Sequence, residues 1–512
     1  MITGKTKMIG QALMAVLMLC LAGCRQPPSE PIVLNIACQG RPISLVPHGM
    51  PELYTVMVQA NIYEGLVEFD SGMKVVPLLA DHWETPDPKT WIFKLRPGIT
   101  FHNGKPLRAE DVAFSLRRAK EDTASALRAN FVQVASIDVI DSLTLRLTTY
   151  RPFPLLLYKL VSVFVVPKDG FLAQGSEAWE RAPVGSGPYR LKSNDPQGPL
   201  VLSAYPGYWG RRPQFEEIRF LESNELSEIS RLLGDPGSPT IVPHLDQAAA
   251  RSLEAVSRKK YSIQHRPGLV LRYLALRWDR KPFQDLRVRR AISLAIDRQS
   301  LVGELCYGYA TPANQPVPIT VFGYNDRLAP LAYDPASASE LLKQAGYHQG
   351  LDLTLLLPSQ REAIGRILAE QMKPAGIRLH LKLVNRDDFF RSLDTAAFFY
   401  IGYSSNSGDA SDLLDEALHS KVGGYGVNNY GGYSNREVDR LTEISDTCFS
   451  QERRLKLIQA AMKLIYDDMA IIPLFIEDQI SACSDNIQWR PRLDMLVLGK
   501  EIGLKHRRYG SK

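Results

Sequence analysis

The chain has 512 residues, of which 45% are hydrophobic and 23% charged, and its formal net charge is +6. This composition is ordinary for a globular protein, and the length suffices for a buried core and about three domain-sized units. The net charge is small and no Lys/Arg block dominates, so we expect no nucleic acid partner. The densest basic cluster, residues 505–508, is typical of a solvated tail.

The sequence contains no recognisable set of catalytic or metal-binding residues. Its nine histidines are scattered without a metal-ligand spacing. A phosphate-binding Walker motif, a G-x-S-x-G elbow and paired C-x-x-C motifs are missing, although residues 402–406 begin like such an elbow. We therefore expect no catalytic residue, no metal and no cofactor, and we do not expect an enzyme.

Residues 1–24 have the pattern of an export signal. Two early lysines precede an apolar run, 9–21, that is too short to span about 30 Å of hydrocarbon. The run ends in Leu-Ala-Gly-Cys, which resembles the bacterial lipobox, so Cys24 is the candidate lipidation residue. A plain cleavage site or a retained signal anchor are the alternatives. Residues 25–31 contain three prolines and predict an extended tether.

Four cysteines remain in the chain after the lipidation residue. An exported protein could pair them, and sequence alone does not fix the pairing. Because they are widely spaced in apolar surroundings, we favour mostly buried free thiols over disulfides. They are Cys38, Cys306, Cys448 and Cys483.

Residues 83–117 are the most informative stretch. Apolar side chains alternate along residues 91–95, which predicts a half-buried strand. After a turn, residues 99–102 predict a second short strand, and Asn103-Gly104 is a strong tight-turn signal. A helix is predicted from Ala109, with acids in its first turn.

The order of residues in this stretch closely resembles the signature of the family 5 extracellular solute-binding proteins, the peptide and nickel receptors of ABC importers. One departure is Arg108, where the family usually has a capping Thr or Ser, at a cost of about 1 kcal/mol. The matching positions are Trp83, Phe93, Leu95, Arg96, Gly98, Phe101, Asn103, Gly104, Pro106, Leu107, Ala109, Asp111, Val112, Phe114 and Ser115.

The resemblance extends over about residues 34–485. In the segment 282–298, Asp285 is expected to cap a helix with an apolar stripe. The glycines of the loop 183–189 are expected to pack backbone tightly. Further matching segments are 61–67, 205–213, 333–347 and 433–439.

The resemblance implies an α/β, two-lobed periplasmic-binding-protein fold (type II-like, cluster C) with an extra small domain inserted in the first lobe. Closure around a ligand would be a hinge motion at two crossings, near residues 265–272 and 477–483. The implied divisions are lobe one at 32–62, 180–268 and 479–512, the inserted domain at 63–179, and lobe two at 269–478.

The resemblance also suggests where a ligand would bind. One region is the first-lobe loop that starts at His48, and another is the loop from Tyr403, where Asn406 replaces an Asp that meets a peptide's ammonium group in relatives. The full set of candidate ligand contacts is Tyr403, Ser404, Ser405, Asn406, Asp409, Arg361, His48 and Glu52.

The implied function is that of a substrate-binding lipoprotein, which captures a peptide or similar small polar solute and delivers it to an ABC permease and its ATPase. We expect a monomer outside the cytoplasm, in the periplasm or its equivalent, held at the membrane by Cys24. The alternative is a lipid-anchored binding protein that acts in signalling or chaperoning. The sequence does not identify the ligand.

Overall fold

The computed structural model describes residues 31–256 and 260–505. The predicted signal segment, with Cys24, lies outside these residues. In the described part of the chain, no helix combines the length and the apolar composition needed to cross a membrane.

Nineteen strands are described. They are β1 Val33–Cys38, β2 Val67–Phe69, β3 Val75–Pro77, β4 Ala80–Asp87, β5 Thr90–Leu95, β6 Val134–Asp141, β7 Thr144–Thr149, β8 Tyr189–Asn194, β9 Leu200–Ala204, β10 Glu217–Glu222, β11 Thr240–Val242, β12 Tyr261–Leu276, β13 Ala310–Pro312, β14 Leu351–Pro358, β15 Ile377–Val384, β16 Phe398–Ser404, β17 Ile472–Ser484, β18 Ile487–Gln488 and β19 Gly503–Leu504.

The described helices alternate with these strands. They are α1 Leu53–Ile62, α2 Ala109–Glu121, α3 Leu156–Leu160, α4 Lys168–Arg181, α5 Leu226–Leu233, α6 Gln247–Val256, α7 Leu286–Leu294, α8 Arg298–Cys306, α9 Pro335–Gln344, α10 Glu362–Met372, α11 Arg386–Ser392, α12 Ser411–Leu413, α13 Arg436–Ser445 and α14 Gln451–Asp468.

A large mixed sheet runs through the protein in the order β15-β14-β16-β12-β17-β11-β1-β10-β9-β8, with β13 paired to β17. Its two long central strands, β12 and β17, are antiparallel along most of their length. The predicted crossings fall inside these two strands. Their register shifts between Pro267 and Leu271, a β-bulge that bends the ribbon.

The bulge contains Gly268, where the two strands approach closely. A Cβ atom there would lie 2.7 Å from the carbonyl oxygen of Glu477, so any larger residue would push β17 away. The crossing between the two halves of the sheet is therefore a paired, glycine-containing ribbon.

A second sheet, β4-β5-β7-β6, contains the strands from the first part of the informative stretch, residues 83–117. Trp91, Phe93 and Leu95 of β5 are buried, and the residues between them are half-buried, so the alternation prediction is confirmed. These side chains pack on α2 in an apolar cluster that spans residues 66–165. That cluster lies inside the predicted inserted domain, whose boundaries stay a prediction.

The second predicted strand, residues 99–102, is wrong. Only one isolated bridge forms there, between Thr100 and Pro106, because the chain turns back at once through a bond from Phe101 N to the Lys105 carbonyl. The tight turn itself is confirmed, with Gly104 at a φ of 78°.

Helix α2 begins at Ala109 as predicted. The Arg108 side chain forms no cap, but its backbone N–H donates to Asp111 Oδ2 at 2.9 Å, which supplies the other half of a capping box. At α7, Asp285 accepts from Arg287 N at 2.8 Å and caps the helix as predicted.

The loop 183–189 packs against the end of α1. A Cβ atom at Gly185 would lie 1.9 Å from the Ile62 carbonyl oxygen, and one at Gly187 would lie 2.7 Å from it. No larger residue fits at either position, as the sequence predicted. The four cysteines are free, and Cys38, Cys306 and Cys483 are buried, whereas Cys448 is only partly so.

Candidate functional site

A cavity of about 580 Å³, here called the main chamber, opens where distant parts of the chain meet. Its wall is formed mainly by α1, residues 63–69, the β12–β17 crossing and the chain after β17. The loop after β16 contributes Ser404 and Asn406. Because the crossing forms one wall, bending the ribbon would change the shape of the main chamber.

A side chamber of about 460 Å³ adjoins it. Phe69, Val161, Ser162, Ser404 and Asn406 line both cavities, so they form the junction between them. The rest of the side chamber is polar and includes Lys159, Asp412 and Glu416. A solute that spans the junction would therefore meet two chemically different surroundings.

Most charged side chains on the wall of the main chamber are paired within the protein. Each of these ions already has a partner of opposite charge within the protein. The shortest contacts are Lys500–Glu68 at 2.8 Å, Arg272–Glu477 at 2.8 Å and Arg492–Asp494 at 2.7 Å.

Glu64, also on this wall, is bonded to three donors instead. Tyr208 donates to one carboxylate oxygen at 2.9 Å, and Trp209 and Ser186 donate to the other at 2.8 and 2.9 Å. Complete burial still raises the pKa of Glu64 to about 6, against the opposing effect of Lys500.

Two further titratable groups line the main chamber near the crossing. Burial lowers the pKa of His244, so its imidazole is neutral at pH 7. Burial raises the pKa of Asp478, whose Oδ2 lies 2.8 Å from His265 Nδ1. The other oxygen of Asp478 has no hydrogen-bond partner among the described residues.

Of the eight candidate ligand contacts, three lie on the chamber walls. Tyr403 lines the side chamber and donates its hydroxyl to Glu416 at 2.8 Å. Ser404 and Asn406 lie at the junction, where the Ser404 hydroxyl donates to Asn406 Oδ1 at 2.7 Å. Asn406 is exposed, and no described residue accepts a hydrogen bond from its amide nitrogen.

Asp409 and Ser405 are turned into the protein. The Asp409 carboxylate has no exposed surface and accepts a bond of 2.8 Å from Arg454 Nη2 on α14. Ser405 is 2% exposed, and its N–H donates to the Leu269 carbonyl at 3.1 Å. Both residues shape the loop that carries Asn406.

His48 and Glu52 serve the local structure of the loop before α1. The buried His48 ring bonds to the Phe164 carbonyl at 2.8 Å, and burial beside Arg118 lowers its pKa to about 3. Glu52 caps α1 by accepting from Tyr54 N and Thr55 N. Neither side chain lines either chamber, although their neighbours Pro51 and Leu53 line the main chamber.

Arg361 stands just outside the main chamber. Its guanidinium is 3.8 Å from Glu477 Oε1, the carboxylate that Arg272 already holds, and its side chain is 44% exposed. Among the described residues, no group of three or more His, Cys, Asp or Glu side chains is arranged to hold a metal ion.

The sequence matches bacterial extracellular solute-binding proteins, family 5 (middle region), over residues 74–425, more than half of the chain. The chain belongs to this family. Proteins of family 5 bind peptides or similar solutes for ABC importers, and this chain is one of them. The match includes the inserted sheet and the loop at the junction, though not the chain after β17.

The alignments with individual relatives cover most of this family 5 protein. The glutathione-binding protein GsiB of Salmonella typhi is 27% identical over 464 residues, 87% of this chain and 89% of that one. HbpA2 from Haemophilus parasuis has a TM-score of 0.85 at 22% identity, covering 93% of this chain and 99% of that one. The Helicobacter pylori protein DppA, in complex with the peptide STSA, has a TM-score of 0.72 at 21% identity, with 93% and 98% covered.

These likenesses confirm the two-lobed fold of family 5. Sequence reasoning had missed the contribution of the C-terminal chain, from which Arg492, Met495 and Leu496 reach the main chamber. It had also missed Phe69 and Val161 at the junction. No local motif marks these residues as wall positions, because they are ordinary apolar or paired side chains that only the tertiary fold brings together.

Proposed function

We propose that this family 5 protein captures a peptide or similar small solute between its lobes and delivers it to a membrane permease. The observation that supports this most is the pair of connected chambers beside the β12–β17 ribbon. Hinge bending of that ribbon would enclose a bound solute, and the closed form would be the one that docks on the permease.

The size of the chambers favours a ligand of a few residues. Together with the name of the curated relatives, this makes glutathione and other tripeptides the first solutes to test. A bound backbone would meet hydrogen-bonding partners at the junction, where Ser404 and Asn406 present a hydroxyl and an amide. A buried polar group of the ligand needs such partners, because leaving it unpaired costs about 1–3 kcal/mol.

Asn406 suggests that a free peptide amino group is not held as it is in peptide-binding relatives. A neutral amide oxygen gives roughly half the strength of an ionised acceptor. Asp409, three residues later, is not a substitute, since its carboxylate is already bonded to Arg454. We therefore favour a ligand whose end near Asn406 is uncharged, such as a blocked or modified peptide or another polar solute.

We further propose that the mature protein is a monomer outside the cytoplasm, anchored through lipid on Cys24. This rests on the sequence of residues 21–24, which lie outside the described residues. Several acyl chains would make the anchor durable, at roughly 0.8 kcal/mol per buried CH2.

The proposed function is tested by binding and by uptake. Calorimetry of the purified protein with glutathione, its N-acetylated form and a set of tripeptides should identify a solute that shows saturable binding. Deleting the gene should abolish cellular uptake of that solute. Binding with undiminished uptake would instead support the alternative, a lipid-anchored protein of signalling or chaperoning.

A further inference from the structure

We propose that the natural ligand carries an uncharged apolar portion, which the main chamber buries, while its polar end occupies the side chamber. This rests on the proposed function, because it assumes that the two chambers hold the transported solute. The chemical class is thus an amphipathic solute, such as an apolar peptide or an alkylated one, and not a compact, uniformly polar molecule.

The first argument is the state of the charges. Each carboxylate on the main chamber wall has a donor or a cation beside it, as shown for Glu64, Glu68 and Glu477. The histidine on this wall is neutral at pH 7. A charged ligand group placed here would lose its hydration without gaining an ionic partner, which is unfavourable.

The second argument is the apolar wall. Half-buried aliphatic side chains from three separate parts of the chain line this one cavity. Six of them are Leu53, Val56, Ala60, Val161, Met495 and Leu496. Contiguous apolar surface of this kind is unfavourable in water and is a mark of a binding site.

The third argument is the contrast with the side chamber. Lys159, Asp412 and Glu416 line it, and among the described residues none of them forms an ion pair within 4 Å. Burial raises the pKa of Asp412, and its Oδ2 accepts the Ser407 N–H at 2.8 Å. Glu416 does accept hydrogen bonds from Tyr403 and Asn428, but these donors are neutral. Ionisable groups of both signs that lack an ion-pair partner suit the polar end of a ligand, so the junction orients the molecule.

The first experiment measures the apolar preference with defined compounds. N-phenyl-1-naphthylamine, an uncharged apolar dye, should bind with 1:1 saturation and a rise in fluorescence. In parallel, S-methyl-, S-butyl- and S-hexyl-glutathione should compete with the dye increasingly well, by up to about fourfold per buried methylene. Unmodified glutathione serves as the polar reference of the same series.

Variants at one position then locate the dye. Val56→Asp places a charge on the apolar wall and should reduce dye affinity at least tenfold. Val56→Thr keeps the shape of the side chain, so it checks that a loss of binding does not come from misfolding. This variant should lower the affinity for the dye severalfold. Val132→Asp is the matched control, since Val132 is 67% exposed and lines neither chamber.

The outcomes separate this inference from the proposed function. Saturable dye binding that is lost in Val56→Asp and retained in Val132→Asp supports an apolar subsite. The inference is overturned if polar tripeptides bind but the dye does not, or if affinity does not rise along the S-alkyl series. Either result leaves the proposed receptor function standing. Dye binding that Val56→Asp leaves unchanged also overturns the inference, because the dye then occupies another surface.

Discussion

Tyr425 donates its hydroxyl hydrogen to Asp446 Oδ2 at 2.7 Å, and the other oxygen of this carboxylate has no hydrogen-bond partner among the described residues. Burial raises the pKa of Asp446 to about 6, against the opposing charges of Arg454 and Arg151. Asp415 lies close enough for its own pKa to be raised by Asp446 as well as by burial. The pair therefore favours at least one bound proton.

This gives a prediction for stability against pH. The folded pKa of Asp446 is above the unfolded value of 3.8, so the folded state binds its proton more tightly. The resulting stabilisation is complete below pH 3.8 and is lost as the pH rises to about 6. Asp446→Asn should flatten this dependence. At pH 7 the variant should unfold at an equal or higher urea concentration than the wild type, with a gain in unfolding free energy of roughly 3 kcal/mol at most. A variant that keeps the wild-type pH dependence would contradict the assignment.

A second prediction concerns the buried ion pair of Asp409 and Arg454. Asp409→Asn leaves a buried guanidinium without its carboxylate and should destabilise the protein by about 3–5 kcal/mol in urea unfolding. The control is Glu452→Gln, which breaks an exposed pair with Lys456 and should cost less than about 1 kcal/mol. If Asp409→Asn instead kept its stability and lost only ligand, Asp409 would be a ligand anchor after all.

The amide at Asn406 leads to a third prediction. Calorimetry should show little preference of the wild type for a free tripeptide over its N-acetylated form. Asn406→Asp supplies an ionised acceptor at the junction and should raise affinity for the free amine roughly tenfold. The N-acetylated peptide is the matched control and should not gain. A strong preference for the free amine in the wild type would point to Asp412 or Glu416 as its anchor.

Ligand binding should also compact the protein. The main chamber borders the β12–β17 ribbon, so enclosing a solute requires the ribbon to bend. Small-angle scattering should give a smaller radius of gyration with a tight ligand than without it. The radius should stay constant with a peptide that does not bind. A radius that fails to change with saturating ligand would favour a rigid binder.

The membrane anchor can be tested at one residue. Cys24→Ser, expressed with its signal, should lose incorporation of radiolabelled palmitate and leave the membrane fraction. Cys20→Ser is the matched control, because this cysteine lies in the apolar run and should leave labelling intact. Full membrane retention of Cys24→Ser with unchanged labelling would contradict lipidation at Cys24.

Local elements were predictable because their signals are local. The alternation around Phe93 and the cap at Asp285 depend on neighbouring residues, and both are confirmed. The strand expected at residues 99–102 failed because a tight turn at Gly104 folds the chain back before a partner strand can pair. Turn chemistry outweighed strand propensity there.

The site was less predictable, because burial depends on distant partners. Nothing near Asp409 in the sequence reveals that Arg454, 45 residues later, takes its carboxylate. His48 has the polarity of a ligand contact, yet the Phe164 carbonyl and Arg118 occupy its ring nitrogens. Motif resemblance located the loop that carries Asn406, and tertiary packing decided which of its side chains reach a cavity.

The position of β17 in the sheet has a consequence for how the chain is made. This strand comes from the last tenth of the sequence, yet it sits between β12 and β11. Asn61 likewise bonds the Val497 carbonyl, 436 residues away. Folding must wait until nearly the whole chain has emerged, and contacts this distant in sequence form slowly. A chain truncated before residue 472 would leave both neighbouring strands with open edges, which are prone to aggregate.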